Sequence, residues 1–101
     1  MNQSTAPTEF RAQMTQTRNG RYWEIYVVLD GVPHWPDVQL PASAGIPTVA
    51  ARTAALRELG YAPKAAHGRW DWIEFNTISD GVDLTALVIV VPLDSPREAA
   101  R

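Results

Sequence analysis

Glu24 and Glu74 each sit inside a short aromatic run, YWEIY at 22–26 and WDWIEF at 70–75, and paired carboxylates are one kit for general acid and base work. On neighbouring strands they could face one another across a sheet. Nothing else that catalysis needs accompanies them. Ser4, Ser43, Ser79 and Ser95 fall in tails or turns, with no glycine-flanked elbow around any of them. His34 and His67 are far apart on loops, cysteine is absent, and the DGVD at Asp80 lacks the further oxygen ligands of a calcium loop. No metal site is expected. The phosphate-cradling patterns GxGxxG and GK[ST] are also missing. The expectation is a non-enzyme without cofactor, in which Glu24 and Glu74 are solvated or Arg-paired.

The rings beside those carboxylates are the better candidates. Tyr22, Tyr26, Trp70 and Trp72 alternate along their runs, and each aromatic side chain can bury about 150–250 Å². Four on one sheet face would rival the roughly 300–600 Å² of the largest apolar patch on an ordinary monomer. Such a face wants a cover. Glu24 and Glu74 beside the rings would attract a cation, as aromatic cages do, and would repel phosphate. Between Arg21 and Leu93 there are five basic against eight acidic side chains, so the basic footprint of a nucleic-acid binder is missing. Arg18, Arg21, Lys64, His67 and Arg69 make only a thin fringe.

The elements that must hold these residues are organised around Leu84–Leu93, LTALVIVVPL. Both of its alternating faces are apolar, so it belongs in the middle of a sheet. Pro92, lacking a donor, marks the end of its ladder. The run is too short for a bilayer helix, which needs about 20 apolar residues. RYWEIYVVL at 21–29 alternates as a strand, with Trp23, Ile25, Val27 and Leu29 on one face and Tyr22, Glu24, Tyr26 and Val28 on the other. Asp30-Gly31 supplies a tight turn into VPHWPDVQL, whose Pro33 and Pro36 suit an edge. WDWIEFN sets Trp70, Trp72 and Glu74 opposite Asp71, Ile73 and Phe75, and Asp80-Gly81 turns it into the apolar strand.

One helix is expected between the two hairpins, in PASAGIPTVAARTAALRELG, with Pro47 preset for its first position and Gly60 as its stop. On a 100° wheel Val49, Leu56 and Leu59 make the buried stripe, flanked by Thr53. Arg52 falls between Val49 and Leu59, and the favoured reading lays its stem along the stripe edge with its head in water. Ala50, Ala51 and Ala54 leave the opposite side small. YAPKAAHGR then reads as a loop.

The chain of 101 residues is one domain. Residues 1–20 read as a flexible tail, 21–93 as the folded domain and 94–101 as a second tail, with translation beginning at Met1 or at Met14. No apolar core of a secretory signal precedes the domain, and the lack of cysteine suits a cytoplasmic setting. The fold class is α+β: a two-layer β-β-α-β-β arrangement, four strands in a mixed sheet of order 2-1-4-3, with one helix on one face. That helix covers Trp23, Ile25, Val27, Leu29, Ile73 and Phe75, and leaves the other face open.

The run from RYWEIYVVLDGVPHWP through GIPTVAARTAALRELGY to VIVVPL resembles a family of small uncharacterised actinobacterial proteins over residues 20–93. The resemblance implies a fold but no activity and no site. The functional expectation therefore rests on the open face: a protein-interaction module that homodimerises or binds another protein through Tyr22, Glu24, Tyr26, Trp70, Trp72 and Glu74. A cationic small molecule or basic peptide is the alternative ligand, and single-stranded nucleic acid the third. No membrane partner is expected.

Overall fold

A computed structural model describes residues 9–65, 69–76 and 81–93. Within them six strands make one antiparallel sheet beside a single helix. The class is α+β as expected, but the sheet is neither four-stranded nor mixed.

The first strand, β1 (Phe10–Gln16), runs through the expected tail. Its sequence explains it. Ala12 and Met14 alternate with Arg11, Gln13 and Thr15, so one side can be fully buried while the other meets water. A turn follows at residues 17–21, where the Thr17 amide donates to the Tyr22 carbonyl (2.8 Å) and Asn19 Oδ1 accepts from the Arg21 amide (3.0 Å). Gly20, at φ 75°, supplies the left-handed residue that Asn-Gly turns require. The chain returns as β2 (Tyr22–Val28), with Ile25 opposite Met14. β3 (Asp37–Pro41) pairs with the far side of β2 and carries Val38 opposite Ile25.

A 3-10 turn at Ala42–Ala44 leads to helix α1 (Val49–Glu58). It begins at Val49, two residues after the Pro47 expected at its first position, and Thr48 caps it, its Oγ1 accepting from the Ala51 amide at 3.1 Å. Gly60 ends it at φ 94°, as expected. The buried stripe is rotated from the one read off the wheel. Arg52, Ala55 and Leu56 are buried and Leu59 is half-buried, an i, i+3, i+4, i+7 set, whereas Val49 in the first turn is exposed. Ala50, Ala51 and Ala54 face water.

After the helix, Tyr61–Pro63 (β4) stands where a loop was expected, followed by β5 (Asp71–Asn76) and β6 (Val82–Pro92). β6 is central, as its two apolar faces require. β1 lies along one side of it, and β4 and β5 share the other at different heights, Pro63 opposite Val90 and Trp72 opposite Ala86. The sheet runs β3-β2-β1-β6-β4, with β5 also against β6. The expected pairs β3-β2 and β6-β5 are present, and β1 separates them. The expected Asp80-Gly81 turn falls partly, and the C-terminal tail wholly, outside the described residues.

The sheet is curled into a half-barrel. Trp23 on β2 meets Trp72 on β5 edge to face, with ring centroids 6.1 Å apart, although three strand spacings of about 4.8 Å separate the two strands. Small residues at the middle of the concave face, Ala12 on β1 and Ala86 on β6, let the outer strands close toward each other. Leu56 and Ala55 of α1 fill the concavity against Met14, Ile25, Val27, Val88 and Val90.

Candidate functional site

Cross-strand partners in an antiparallel sheet project to the same side, so the register assigns every candidate to a face. Ile25, Met14, Ala86 and Trp72 form one row, and it lies on the concave, helix-bearing side. Trp70, Trp72 and Glu74 therefore lie with Trp23 and Ile25, not with Tyr22, Glu24 and Tyr26. The single aromatic face expected from the sequence does not exist. Ile73 and Phe75, expected under the helix, are on the convex side and 42% and 51% exposed. The alternation within each strand was read correctly; the phase between β5 and β2 is fixed by β1 and β6, which lie between them.

Each half of the divided set acquires partners that sequence reasoning did not supply. On the convex face Trp35, from the loop before β3, stacks on Tyr26 at 6.0 Å and 21° and donates its indole N–H to the Leu29 carbonyl at 2.7 Å. The Tyr26 hydroxyl bonds Gln13 Oε1 at 2.8 Å, and burial raises its pKa. Asp37 lies diagonally across from Glu24. A hydrogen bond with the Asp37 carboxyl, then burial and the Asp37 charge, hold the Glu24 carboxyl above its ordinary range. These groups, with Thr15, Val32, Pro33 and His34, line an open hollow of about 700 Å³. Tyr22 is exposed further along the same strand.

On the concave face Arg52 departs from the water-facing reading. Only 7% of the residue is exposed. Its guanidinium carbon lies 5.2 Å from the Trp70 ring centroid and 5.5 Å from that of Trp72, and Nε donates to the Pro47 carbonyl at 2.9 Å. No carboxylate among the described residues pairs with it; the ion pairs are Lys64–Glu9 and Arg69–Asp71. Burial lowers its pKa. The Trp70 indole N–H beside it is buried without an acceptor among the described residues.

The third feature is β5 itself. All six of its residues are exposed, and it pairs with β6 alone. Trp72, Ile73 and Phe75 on it, and Val82 and Leu84 on the neighbouring stretch of β6, make the densest group of exposed large apolar side chains. Sequence alone offered a signal for this: WDWIEFN carries no proline and no lysine, the usual guards of an exposed edge.

Elsewhere little chemistry is assembled. Arg11, Lys64 and Arg69 line a notch of about 380 Å³ where β4 and β5 leave β6, but Lys64 and Arg69 already hold carboxylates. Among the described residues no three His, Cys, Asp or Glu side chains cluster to hold a metal, and no helix is long and apolar enough to cross a membrane. His34 is exposed; His67 lies outside the described residues.

No curated protein and no solved structure matches the chain. The model of a family described as of unknown function, DUF6303, matches residues 8–100, nearly the whole chain. The chain belongs to that family.

Proposed function

We propose that this chain is a non-enzymatic protein-interaction module whose contact surface is the β5–β6 ribbon. The observation that carries the reading is β5: an edge strand exposed on every residue, with apolar side chains on both faces and neither proline nor lysine along it. An edge of this kind offers a row of free backbone donors and acceptors flanked by oily side chains, the arrangement that strand addition uses. The interaction surface expected from the sequence thus moves from one sheet face to one sheet edge, keeping Trp72 and Glu74 and exchanging the tyrosines for Ile73 and Phe75. The absence of cysteine agrees with a cytoplasmic setting.

The test replaces Ile73 and Phe75 by lysine, which points charge outward from β5 without touching the concave core. The wild type and this double variant are compared by light scattering and as baits in the native host. Either self-association or a specific protein partner is expected for the wild type and lost in the variant. If neither depends on these two residues, the reading fails.

A second reading has its own observation. Tyr26 stacked under Trp35, beside Glu24 and Asp37, combines ring faces with acidic groups over an open hollow, which supports a quaternary ammonium or a basic peptide as ligand. Titration with tetramethylammonium and with Lys- or Arg-containing peptides, read by Trp fluorescence and compared with Trp35→Leu, tests it. No saturable change in the wild type ends it. The same carboxylates weigh against nucleic acid.

A further inference from the structure

We infer that two copies of this chain join β5 to β5 about a two-fold axis through Ile73, and that Glu74 of each copy then answers Arg52 of the other. This rests on the interaction reading above and names the partner. Three independent observations lead to it.

The first concerns the two edges. The opposite edge of the sheet, β3, is flanked by Pro36 and ends in Pro41, and β4 ends in Pro63. Prolines there oppose the head-to-tail pairing of β5 on one copy with β3 on the next. The unguarded edge is left to meet its own counterpart, which closes the assembly after two copies.

The second is the register. Directly opposed residues of an antiparallel pair share a side, and a continuous sheet must set concave face beside concave face. Only pairings centred on a residue of β5 satisfy both conditions. Centring on Glu74 would oppose two like charges, and centring on Trp72 would leave Glu74, Phe75 and Asn76 without counterparts on the strand. Centring on Ile73 uses 71–75 in full: Ile73 opposes Ile73, Asp71 opposes Phe75, and Trp72 opposes Glu74.

The third is charge. Arg52 is buried over the Trp72 ring and has no carboxylate among the described residues. In the Ile73 register the Cβ of Glu74 from the second copy comes about 4.5–5.5 Å from that of Trp72, on the same concave side as the guanidinium. The two-fold axis makes this complement twice. The seam also gathers exposed apolar side chains. Trp72 and Phe75, 40% and 51% exposed, offer about 150–200 Å² between them. Ile73, 42% exposed, and the strand backbone add to it at the seam.

Single cysteines test the register cleanly, because the chain has none of its own. Ile73→Cys lies on the axis, where opposed Cα atoms are within disulfide reach, and in an oxidising thiol buffer it should give a covalent dimer in high yield. Phe75→Cys is also exposed but sits about 14 Å from its counterpart, four residues of strand away, and should stay monomeric on a non-reducing gel of the same reaction. Glu74→Gln, at an exposed position that leaves the fold intact, should weaken self-association in sedimentation at least tenfold. The swap Glu74→Arg with Arg52→Glu should restore it if the double variant folds by circular dichroism.

Equal cross-linking by the two cysteines, or an unchanged dimer with Glu74→Gln, overturns the register. A wild type that stays monomeric at every concentration overturns self-pairing altogether. If another protein is then captured by the wild type and lost with the β5 lysine variant, the interaction reading stands without the dimer; if none is, both fall.

Discussion

Arg52 is the residue whose surroundings were least foreseeable and whose substitution is most informative. A helix wheel ranks arginine by its charge and places it at the margin of an apolar stripe, yet here the guanidinium is stacked against Trp70 and Trp72 and tied to the Pro47 carbonyl. Ring stacking of a desolvated cation contributes about 0.5–2 kcal/mol, and one hydrogen bond to a charged donor about 1.5–3 kcal/mol. Burial of a cation that has no anion among the described residues opposes both. Arg52→Met keeps most of the stem and removes the charge, so it should stay within about 1 kcal/mol of wild type. Arg52→Ala uncovers both rings and should cost about 2–3 kcal/mol. Urea unfolding measures the two; an Arg52→Met as damaging as Arg52→Ala would show that the charge, not the packing, holds the ring pair. Glu24 makes a prediction of opposite character. Its carboxyl is held above the ordinary value of 4.5 by Asp37, so the folded chain binds that proton more tightly than the unfolded chain does. The resulting stability is fully present below the unfolded value and is lost as pH rises through the folded one. Glu24→Gln cannot ionise and escapes the loss. Its Tm relative to wild type should therefore rise between pH 4.5 and neutrality, and a flat difference would deny the coupling.

At the scale of elements, β1 decides whether the domain exists. It lies between β2 and β6, and its Ala12 and Met14 are fully buried. A chain begun at Met14 keeps one of those two side chains and loses residues 10–13, which pair with Tyr26–Val28 on one side and Leu87–Val90 on the other. Such a truncation should fail to fold, giving collapsed amide dispersion in a proton–nitrogen correlation spectrum; a well-dispersed spectrum would mean β2 and β6 can close on each other directly. The error in reading residues 10–20 as part of a tail is instructive; residues 1–8 lie outside the described residues. Strands β2 and β6 declare themselves through β-branched and aromatic residues, whereas β1, FRAQMTQ, has one aromatic, no Val or Ile, and polar side chains at every second position. Its alternation and the Asn19-Gly20 turn after it were legible, but composition outweighed period. The helix stop was also legible, because Gly60 acts locally, whereas the start lies two residues past the expected Pro47, where the Thr48 side chain caps the first turn. Which stripe faces inward was not, because the concave sheet it meets is built from both ends of the chain. The same limit governed the candidate site: alternation along β5 follows from the sequence, but the side on which Trp72 lies depends on Ala86 and Met14, residues far away along the chain.

For the whole molecule the balance between its two edges matters most. β3 closes one side of the curled sheet and β4 and β5 share the other, and if β3 and β5 were both free to pair, copies would add head to tail without closure, as heterologous contacts do. Pro36 and Pro41 stand at one edge and nothing comparable at the other. Proline removes a backbone donor wherever it occurs: the Ala42 amide bonds the Arg21 carbonyl on the β2 side, so the donor missing at Pro41 falls on the open edge and discourages strand addition there, whereas the Pro36 carbonyl accepts from the Val27 amide at 3.1 Å and the donor missing at Pro36 falls on the β2 side. Replacing both by threonine restores the missing donors and supplies a residue suited to strands. The unfolded chain also gains freedom, so stability should fall by about 1–2 kcal/mol for the pair. The larger effect is on assembly: light scattering should show particles growing with concentration and time beyond two copies, and adding Ile73→Lys on β5 should return the variant to monomer. Growth that persists with the lysine present would mean that β5 is not the complementary edge. If the double threonine variant instead stays at the size of the wild type, the prolines are not what keeps β3 closed.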